Sequence, residues 1–581
     1  MARIYMNTSP QPFVDVPRLD LLTFLFGKLI LPPWSVNLTQ EHLDSEHSVA
    51  QDDTILHLEA DKPSNQLTKA ELRSLVGKIA HGLRHRYGIG ASGPSKDVVT
   101  VISYGQVLVP AAFFGVIAAG GVYSAASPSS TVSDLARQIK IGKSRTIICS
   151  AEFKDLAAQA AKECDIPVDR ILVLESSPSR KLQSLDSTVN AISDQTLNWE
   201  KITDPESLKK SLITILWSSG TTGLPKGVML SHENLVQEAY LVSLPGREWA
   251  VKQVEAGKEL KPYRTLAHLP ISHIAGLFGY LILPFYSGGS VVWMRKYEWS
   301  KLLQYVKQFE ITAFYTVPSI YLRISKSPDV RDHFKSVDAA STGAAPMDGE
   351  LQSHANSKLG TGETFIGQTW GLSETTGAVT MMPRGQSDVT GSISPILQNV
   401  ELRMVDEDFN DVEPGQEGEL LVRSPLVTQG YFNNPEATKA AFHDGWFCTG
   451  DIAVLRNGKF YIVDRKKELL KYKGLQVAPA EIENLLITHP KIQEAAVVGV
   501  NMPDDPGTDL PRAYIVADPK EISEDEVKEY VRQRLAPYKQ LRGGVVFVNE
   551  IPKNAIGKLL RRELRDRAKR ELGLGAKNAK L

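Results

Sequence analysis

Cysteine is scarce in this sequence, which has only three among 581 residues. Cys149, Cys164 and Cys448 lie far apart, so they do not form the disulfide framework of a small secreted domain or the paired spacing of a zinc site. The sequence therefore favours a protein of a reducing compartment.

An excess of charge of either sign is also absent. Lys and Arg together number 66, Asp and Glu number 67, and the formal net charge is −1. Proteins that bind nucleic acid or another polyanion normally present a basic surface. We therefore expect no nucleic-acid partner.

Long uninterrupted apolar runs are missing too. Residues 1–8 lack the hydrophobic segment that a secretory signal needs. The longest uncharged stretch, residues 106–130, is interrupted by Pro110 and by the Gly120-Gly121 pair. A transmembrane helix needs about 20 mostly apolar residues. We expect a buried helix followed by a strand in this stretch, and no membrane span.

The first two thirds of the sequence alternate helical and strand patterns. Thr68 and Glu71 form a capping box ahead of apolar residues at helical spacing, whereas residues 98–103 and 145–149 are typical of buried strands. This alternation predicts α/β layers with largely parallel strands. Three further strand candidates continue the pattern, at residues 212–217, 311–316 and 364–366.

From about residue 399 the pattern becomes that of hairpin strands. Strand candidates lie at residues 400–405, 419–422 and 453–463. The Asn457-Gly458 pair inside the last segment is a strong tight-turn signal. The sequence therefore predicts antiparallel pairing in this region.

The C-terminal part is predicted to be α+β. Residues 479–487 read as a helix that begins at a proline, and Ser523 with Glu526 caps a second helix. A chain of this length is too long for one ordinary core, so at least two domains are expected. The charged run at residues 464–468 is the most plausible boundary between them.

A run of small polar residues follows the apolar residues 215–217. It reads Ser218-Ser219-Gly220-Thr221-Thr222-Gly223-Leu224-Pro225-Lys226-Gly227. Glycines let backbone N–H groups approach a polyphosphate, hydroxyls donate further hydrogen bonds, and lysine supplies positive charge. The spacing differs from that of the nucleotide triphosphatase P-loop, because no Ser or Thr follows Lys226.

Four more segments follow in order along the chain. They are Leu269-Pro270-Ile271-Ser272-His273-Ile274-Ala275-Gly276, Thr342-Gly343-Ala344-Ala345-Pro346, Gly367-Gln368-Thr369-Trp370-Gly371-Leu372-Ser373-Glu374, and Gly445-Trp446-Phe447-Cys448-Thr449-Gly450-Asp451 followed by Asp464-Arg465. With the polyphosphate loop, this series resembles the adenylate-forming (AMP-binding) superfamily of acyl-CoA ligases, firefly-type luciferases and peptide-synthetase adenylation domains. The resemblance runs from about Leu67 to Arg562, and it is strongest to the 4-coumarate–CoA-ligase-like branch.

The resemblance implies a fold of the α/β class. A large N-terminal adenylation domain of layered α/β sheets, with a small β-barrel-like part, would be followed by a smaller, mobile α+β C-terminal domain. We place these domains at residues 1–465 and 466–581.

The resemblance also implies an ATP site. Trp370 stands where the family has a tyrosine stacked on adenine, Asp451 and Arg465 stand where it contacts the ribose, and Glu374 would hold Mg²⁺. The residues expected to bind ATP or AMP are Ser218, Ser219, Gly220, Thr221, Thr222, Gly223, Lys226, Gly343, Ala344, Ala345, Gln368, Thr369, Trp370, Gly371, Ser373, Asp451, Arg465 and Lys558.

The implied activity is ATP-dependent acyl-CoA ligation through an acyl-adenylate, with release of AMP and pyrophosphate. Its catalytic residues would be Lys558, His273, Thr221 and Glu374. Lys558 would bridge the α-phosphate and the substrate carboxylate, which offsets the repulsion between an attacking anion and an anionic phosphorus. Rotation of the small domain would then admit coenzyme A next to Lys467, Lys473, Gly474 and Gln476.

The acyl pocket implied by the resemblance comprises His273, Ile274, Ala275, Phe278, Thr342, Thr369 and Gly377, extended by Gly279, Thr316 and residues 378–381. Ala275 stands where hydroxycinnamate ligases commonly have a tyrosine, and Thr369 stands where they commonly have a glycine. The first change widens the pocket and the second narrows its entrance. The substrate is therefore expected to be an aryl, branched or medium-chain acid rather than coumarate itself.

Three alternatives stay open at this point. A stand-alone amino-acid adenylation enzyme usually has an aspartate in the second motif, where this chain has Ile271-Ser272-His273. A luciferase-like oxygenase would share every motif. A non-catalytic acyl- or nucleotide-binding protein would be expected to have lost Lys558 or Glu374, and both are present.

The sequence ends in Ala579-Lys580-Leu581, which is close to the Ser-Lys-Leu address read by the peroxisomal import receptor. The residues 573–576 before it include two glycines, which favours an exposed tail. We therefore expect a peroxisomal matrix location, and otherwise a cytoplasmic one.

Overall fold

The computed structural model describes residues 2–27, 50–218, 225–362, 364–473, 475–502, 505–554 and 557–572. The strands of the first half are β1 (Tyr5–Met6), β2 (Ile55–Glu59), β3 (Gln66–Thr68), β4 (Val98–Ile102), β5 (Val122–Ala126), β6 (Thr146–Ser150), β7 (Ile171–Glu175), β8 (Lys181–Ser184), β9 (Leu212–Ser218), β10 (Lys226–Ser231), β11 (Arg264–Ala267) and β12 (Ser290–Trp293).

The strands of the second half are β13 (Ala313–Thr316), β14 (Ala339–Thr342), β15 (Ile366–Gln368), β16 (Gly371–Leu372), β17 (Gly377–Ala378), β18 (Glu401–Val405), β19 (Glu417–Arg423), β20 (Phe442–His443), β21 (Trp446–Arg456), β22 (Lys459–Arg465), β23 (Leu470–Tyr472), β24 (Leu475–Val477), β25 (Glu494–Met502), β26 (Asp505–Val516) and β27 (Val545–Phe547).

The α-helices are α1 (Leu21–Phe26), α2 (Lys69–Tyr87), α3 (Val109–Ala118), α4 (Val132–Gly142), α5 (Lys154–Lys162), α6 (Pro205–Lys210), α7 (His232–Glu255), α8 (Ile274–Leu277), α9 (Leu283–Ser287), α10 (Trp299–Gln308), α11 (Pro318–Lys326), α12 (Gly349–Asn356), α13 (Pro435–Ala440), α14 (Pro479–Thr488), α15 (Glu524–Arg532) and α16 (Arg561–Glu571). A π-helical turn, Phe278–Ile282, joins α8 to α9.

A seven-stranded sheet organises the first part of the chain. Its order is β10-β9-β5-β4-β6-β7-β8, parallel in the middle and antiparallel at both edges. Strands β4, β5 and β6 are buried along their whole length, as expected for parallel strands covered on both faces. The strands predicted at 98–103, 145–149 and 212–217 are thereby confirmed, with ends shifted by one residue.

Helices α2 and α3 pack closely against each other in the main hydrophobic core. Thr68 and Glu71 form the predicted capping box at the start of α2, and every residue of α3 is buried. A Cβ atom on Gly115 of α3 would lie 2.6 Å from Cγ2 of Ile79 on α2, so only glycine permits this approach. The predicted buried helix and following strand of residues 106–130 are α3 and β5.

Two smaller sheets carry the middle of the chain. One has the order β11-β12-β2-β3, and the other, β13-β14-β15, is entirely parallel. The strand predicted at 311–316 is β13, but β15 begins where the predicted strand 364–366 ends. The strand continues past the predicted end, because Gly367 pairs with Ser341 of β14. A Cβ atom on Gly367 would lie 2.7 Å from Cβ of Met382, so this close packing needs a glycine.

An antiparallel sheet follows, with the order β1-β18-β19-β21-β20 and with β22 paired to β21. The predicted hairpin strands are confirmed, and Asn457 and Gly458 form the turn between β21 and β22 with φ of 50° and 74°. This sheet occupies the place of the expected β-barrel-like part, although the hydrogen-bonded order of the described strands is an open path.

The C-terminal part has its own sheet and core. Strand β26 pairs antiparallel with β25 and parallel with β27, and helices α14, α15 and α16 accompany the sheet. Two of its hydrophobic clusters contain only residues from Leu470 onward. The large N-terminal and smaller α+β C-terminal organisation is as expected, and the boundary between residues 465 and 466 stays a prediction. In the described ranges, no helix combines the length and apolar character that a membrane crossing requires.

Candidate active site

One large cavity brings most of the sequence-predicted site residues together. Its volume is about 1240 Å³, and it is lined both by the large N-terminal part and by residues near Lys558 of the C-terminal part. The predicted residues that line it are Ser218, Lys226, His273, Ile274, Ala275, Phe278, Thr342, Gly343, Ala344, Thr369, Gly371, Ser373, Glu374, Gly377, Arg465, Lys467 and Lys558.

The other residues expected at the ATP and coenzyme A sites fall into two groups. Ala345, Gln368, Trp370, Asp451, Lys473 and Gln476 are described but do not line the cavity. Ser219, Gly220, Thr221, Thr222, Gly223 and Gly474 lie outside the described residues. Their expected roles, including the catalytic role of Thr221, stay predictions.

The carboxyl ends of three parallel strands form one wall of the cavity. Strands β13 and β14 end at Thr316 and Thr342, which both line the cavity, and Thr369 directly follows β15. The Thr369 N–H donates to the Thr342 carbonyl at 2.8 Å, which holds the two segments together. Ligands of open α/β sheets bind at such carboxyl ends. This wall continues into the turn after β14, where the sequence predicts residues that bind ATP or AMP.

The turn after β14 leaves little room for side chains. Ala344 adopts the left-handed conformation with φ of 69°, and a Cβ atom on Gly343 would lie 3.0 Å from the Thr369 carbonyl oxygen. The Gln368 amide is occupied elsewhere, since it donates to the Met347 carbonyl at 2.7 Å and accepts from the Met347 N–H at 3.0 Å. Gln368 therefore supports this turn from behind, a role that the motif did not reveal.

Trp370 and Asp451 are joined directly. The Trp370 indole Nε1 donates to Asp451 Oδ2 at 2.8 Å, and Arg465 Nε lies 3.0 Å from Asp451 Oδ1. Both Trp370 and Asp451 are buried, whereas Arg465 is partly exposed and lines the cavity. A carboxylate has about four lone-pair sites, so Asp451 retains acceptor capacity for ribose hydroxyls. Trp370 and Arg465 together hold the carboxylate of Asp451, which was assigned to the ribose, in a fixed orientation.

The two ends of the polyphosphate loop meet next to Tyr431. Ser218 and Lys226 are register partners at the ends of β9 and β10, and both line the cavity. Lys226 Nζ lies 4.8 Å from the centre of the Tyr431 ring, and the Tyr431 hydroxyl donates to Glu374 Oε1 at 3.0 Å. Tyr431 thus contacts both Lys226 of the polyphosphate loop and the Glu374 carboxylate, which was assigned to Mg²⁺.

Tyr431 was missed by the sequence analysis. It lines the cavity, and it follows Gly430, whose φ of 131° is in the region that favours glycine. Backbone bonds from Met229 to Gly430 and from Phe432 to Gly227 tie this segment to β10. The Gly430-Tyr431 pair between two β segments is the sequence signal that could have pointed to it.

His273 caps the short helix α8 in the cavity wall. Its Nδ1 accepts from the Ala275 N–H at 3.3 Å, and its pKa is lowered to about 4, chiefly because burial penalises the charged ring and further because Lys558 is nearby. The ring is therefore neutral at neutral pH. With Nδ1 accepting, the proton lies on Nε2, which makes His273 a hydrogen-bond donor.

Lys558 enters the cavity on a tight hairpin of the C-terminal part. Asn554 fixes this hairpin, because its N–H donates to the Lys558 carbonyl and its Oδ1 accepts from the Lys558 N–H, both at 2.9 Å. Burial, reinforced by Arg465, lowers the pKa of Lys558 to about 8, against the opposing influence of Asp451. Lys558 therefore lies near Asp451 and Arg465, the two residues assigned to the ribose, and near His273.

Contacts between the two parts of the chain hold the Lys558 hairpin in place. A Cβ atom on Gly557 would lie 2.9 Å from Ser319 Oγ, at the start of α11. At the other end of α11, Lys326 Nζ donates to the carbonyls of Ile487 and Ile492 at 2.9 and 2.7 Å. The first and last turns of one helix thus contact the C-terminal part.

The predicted hinge and coenzyme A residues divide into two groups. Lys467 lines the cavity, and the preceding Lys466 pairs with Glu419 at 2.9 Å. Lys473 and Gln476, at the turn between β23 and β24, are exposed and lie outside the cavity lining in this arrangement. Their contact with coenzyme A stays a prediction.

The acyl end of the cavity contains most of the predicted residues. Ile274, Ala275, Phe278 and Gly377 line it, as do Ala378 and Met381. Val379 and Thr380, between them, do not; Thr380 Oγ1 instead accepts from the Trp370 N–H at 2.9 Å, which corrects the continuous wall expected over residues 377–381.

Glu238 of α7 and Tyr315 of β13 also line the cavity, and the sequence analysis missed both. A Cβ atom on Gly279 would lie 2.3 Å from the Tyr315 hydroxyl oxygen, so the tyrosine ring lies against the helical segment that carries Ala275. The space left by Ala275 is therefore partly bounded by an aromatic residue from a neighbouring strand. Motif comparison could not reveal this, because Tyr315 lies in no motif.

Cys448 lines the cavity, but its chemistry is unlike that of a nucleophile. Burial raises the pKa of its thiol to about 11, so the thiol stays protonated at neutral pH. We therefore interpret Cys448 as a structural residue.

Comparison with known proteins places both parts of the chain in one family. Residues 45–432 match the family described as AMP-binding enzyme, and residues 481–558 match its AMP-binding enzyme C-terminal domain. The ATP-bound MatB structure from Rhodopseudomonas palustris aligns with a TM-score of 0.78 at 26% identity, over 95% of this chain and 99% of that one.

Relatives from fungi and plants match over most of their length. A protein of Emericella nidulans named as an acyl-coenzyme A synthetase is 48% identical, over 98% of this chain and 100% of its own. A phenylacetyl-CoA ligase of Aspergillus niger is 32% identical over 96% and 98%, and a 4-coumarate–CoA ligase of Oryza sativa is 33% identical over 86% and 87%. The chain therefore belongs to the AMP-binding enzyme family, and it is an AMP-forming acid–coenzyme A ligase that uses ATP to activate a carboxylic acid.

Proposed function

We propose that this ligase activates an aryl, branched or medium-chain monocarboxylic acid and that Lys558 is the catalytic cation of the first half-reaction. The observation that carries the proposal is the position of Lys558, which enters the same cavity as the apolar acyl residues and the two ends of the polyphosphate loop. A cation at that junction can contact a carboxylate and an α-phosphate together.

In the first half-reaction, a carboxylate oxygen attacks the α-phosphorus, and the bond to the leaving pyrophosphate breaks. Lys558 offsets the repulsion between the two anions as they approach. Neutral His273 donates from Nε2 at the boundary between the acyl and phosphate ends. Lys226, above the Tyr431 ring, adds positive charge where pyrophosphate departs.

The carboxylate of Glu374 fits a magnesium ion. It is a hard oxygen donor at the phosphate end, and its Oε1 is oriented by the Tyr431 hydroxyl. Mg²⁺ held by Glu374 and the phosphate oxygens of ATP would neutralise part of the charge on the triphosphate. Tyr431 is then a positioning residue for that carboxylate.

In the second half-reaction, the thiol of coenzyme A attacks the acyl carbonyl and AMP leaves. The family resemblance implies that the small domain rotates, so that Lys558 leaves the cavity and the segment of residues 473–476 approaches the adenylate. Lys467, which lines the cavity, is next to the predicted domain boundary at residues 465 and 466, where this rotation would occur.

Two relatives support an aryl acid in particular, because their names specify phenylacetate and 4-coumarate as the acids that they ligate. The acyl end of the cavity combines apolar residues such as Phe278 and Met381 with small ones such as Ala275. Such a surface suits a ring or a medium-length chain. One methylene in an apolar pocket contributes only about 1–3 kcal/mol of discrimination, so several acids should be accepted with graded efficiency.

The test is a panel of aryl, branched and medium-chain acids, assayed by pyrophosphate release with and without coenzyme A. We expect acid-dependent pyrophosphate release and a thioester product identified by mass spectrometry. Lys558→Ala should abolish adenylate formation, yet it should retain more of the thioester formation from supplied acyl-adenylate. Lys528→Ala is the control, because Lys528 of α15 in the same C-terminal part pairs with Glu524 at 2.7 Å and lies outside the cavity lining.

The same panel distinguishes the alternatives. Adenylate formation without a thioester would point to an adenylation enzyme with another acceptor, and light or oxygen uptake would point to a luciferase-like oxygenase. No turnover of any acid would favour a binding protein and would overturn the proposal.

We also propose that Ala579-Lys580-Leu581 directs the protein into the peroxisomal matrix. The proposal is supported by the sequence alone, since residues 573–581 lie outside the described residues. Removing the tripeptide should disperse the protein into the cytosol and leave its activity in vitro unchanged. A fluorescent protein bearing only this tail that stayed cytosolic would contradict the proposal.

A further inference from the structure

The acyl end of the cavity contains a buried carboxyl group. Glu238 of α7 is 1% exposed and lines the cavity. Its Oε1 accepts a hydrogen bond from the Ala378 N–H at 2.7 Å. Its Oε2 is buried and has no hydrogen-bond partner among the described residues.

The contacts of Glu238 place it with the acyl residues. A Cβ atom on Gly377 would lie 2.5 Å from Glu238 Oε1 and 3.6 Å from Cγ1 of Ile274, so these three residues are immediate neighbours. Gly377 has a φ of 132° and thus provides both the backbone conformation and the space that the carboxyl group needs. Ile274 and Gly377 both belong to the predicted acyl pocket.

The surroundings of Glu238 favour its neutral form. Burial raises its pKa well above the usual value, and the Ala378 N–H opposes that shift only in part. No salt bridge to Glu238 occurs within the described ranges. A protonated carboxyl group offers one O–H donor and further acceptor capacity. It therefore suits a neutral polar group better than an ammonium or a second carboxylate.

A purely structural role accounts for only one of the two oxygens. The Ala378 contact occupies Oε1 and fixes the short strand β17, whereas an unpaired polar oxygen in an apolar pocket is normally costly. Protein sites that bury an unpaired group of this kind discriminate strongly between substrates that satisfy it and analogues that do not. The unpaired oxygen thus points to the substrate.

We propose that Glu238 is a specificity-determining residue that hydrogen-bonds a neutral hydroxyl group on the acyl moiety, remote from the reacting carboxylate. The preferred substrates are then hydroxylated aryl or medium-chain acids. This inference rests on the proposed function, and it specifies the class of acid that the same pocket accepts.

The test compares matched acids that differ by one hydroxyl: phenylacetate with 4-hydroxyphenylacetate, and octanoate with 8-hydroxyoctanoate. In at least one pair, kcat/KM for pyrophosphate release should favour the hydroxylated acid by about tenfold or more. Glu238→Leu should reduce that ratio to about one, whereas Glu238→Gln, which keeps a donor and an acceptor, should retain most of it. Glu248→Leu is the control, because Glu248 is exposed on the same helix.

A second measurement needs no variant, and it keeps the proposal falsifiable if Glu238→Leu fails to fold. Non-hydrolysable sulfamoyl-adenylates of each matched pair are titrated against the wild-type protein. The hydroxylated analogue of the preferred pair should bind about tenfold more tightly. Equal affinities in both pairs, or a kcat/KM ratio that Glu238→Leu leaves intact, would overturn the assignment of Glu238. If the wild-type protein turned over none of the acids, the proposed function itself would be refuted instead.

Discussion

The indole N–H of Trp370 is hydrogen-bonded to the carboxylate of Asp451 at 2.8 Å, across 81 residues of sequence. Two motifs that had been assigned separately, one to adenine and one to ribose, are therefore a single unit. Asp451 is held from one side by Trp370 and from the other by Arg465, so its orientation is set before any nucleotide binds.

Trp370→Phe should weaken the use of ATP. The substitution keeps an aromatic ring but removes one donor from a buried carboxylate, and a hydrogen bond to a charged group contributes about 1.5–3 kcal/mol. We expect kcat/KM for ATP to fall by about tenfold to a hundredfold, with a smaller change in KM for the acid. The control is Trp199→Phe, which removes an indole bond to Thr23 away from the cavity. Equal effects of the two variants would show that Asp451 does not depend on Trp370.

The pH profile of adenylate formation should report Lys558. Its pKa of about 8 means that the ammonium form predominates below that pH and is lost above it. Because the ammonium is the form that bridges two anions, kcat/KM for ATP should fall as pH rises through about 8. Lys558→Arg, which stays charged, should retain lower activity without this decline. A wild-type profile that stays flat up to about pH 9.5 would contradict the assigned role.

Lys326→Met should affect the two half-reactions unequally. Lys326 caps the carbonyls of Ile487 and Ile492, and so it stabilises the arrangement in which Lys558 occupies the cavity. Removing these two hydrogen bonds should reduce the population of this arrangement and lower the rate of adenylate formation by about three- to tenfold. The effect is limited because only these two contacts are lost. Thioester formation from supplied acyl-adenylate should be spared.

The control for Lys326 is Lys307→Met on the neighbouring helix α10, where an exposed lysine pairs with Asp332 at 2.8 Å. Exposed pairs of this kind contribute little, so both half-reactions should stay near wild type. If Lys326→Met slowed adenylate formation and thioester formation equally, Lys326 would have no role in determining which arrangement of the small domain is populated.

Ala275→Tyr and Thr369→Gly should change which acids are used without changing the use of ATP. A tyrosine at 275 would occupy space next to His273 and the Tyr315 ring, which shortens or narrows the accepted acid. Thr369→Gly removes three heavy atoms from the presumed wall and should admit bulkier acids. The measurement is kcat/KM over a chain-length and aryl series, with KM for ATP alongside. Acid profiles that match wild type in both variants would refute this mapping of the pocket.

Sequence motifs located the site well because they contain the residues that nucleotide chemistry requires. The predicted strands β9 and β13 lead to the cavity residues Ser218 and Thr316. Strand β14 was not predicted, but its last residue, Thr342, opens a recognised motif and also lines the cavity. Hydroxyls, glycines and a lysine near strand ends have few other reasons to occur together, so those segments could be recognised without a structure.

The residues that escaped prediction act through tertiary contacts. Glu238 lies in the second turn of a long helix, and a carboxylate there would ordinarily be assigned to solvent. Its burial depends on the space above Gly377, 139 residues away in sequence. Tyr431 and Lys326 likewise gain their roles from Glu374 and Ile492, which no local pattern connects.

The stoichiometry of nucleotide products tests the central claim most directly. Purified protein, ATP, coenzyme A, Mg²⁺ and an accepted acid are incubated, and nucleotides and thioester are quantified by chromatography. Attack on the α-phosphorus predicts one AMP and one pyrophosphate for each acyl-CoA formed. Stoichiometric ADP and phosphate would contradict the account.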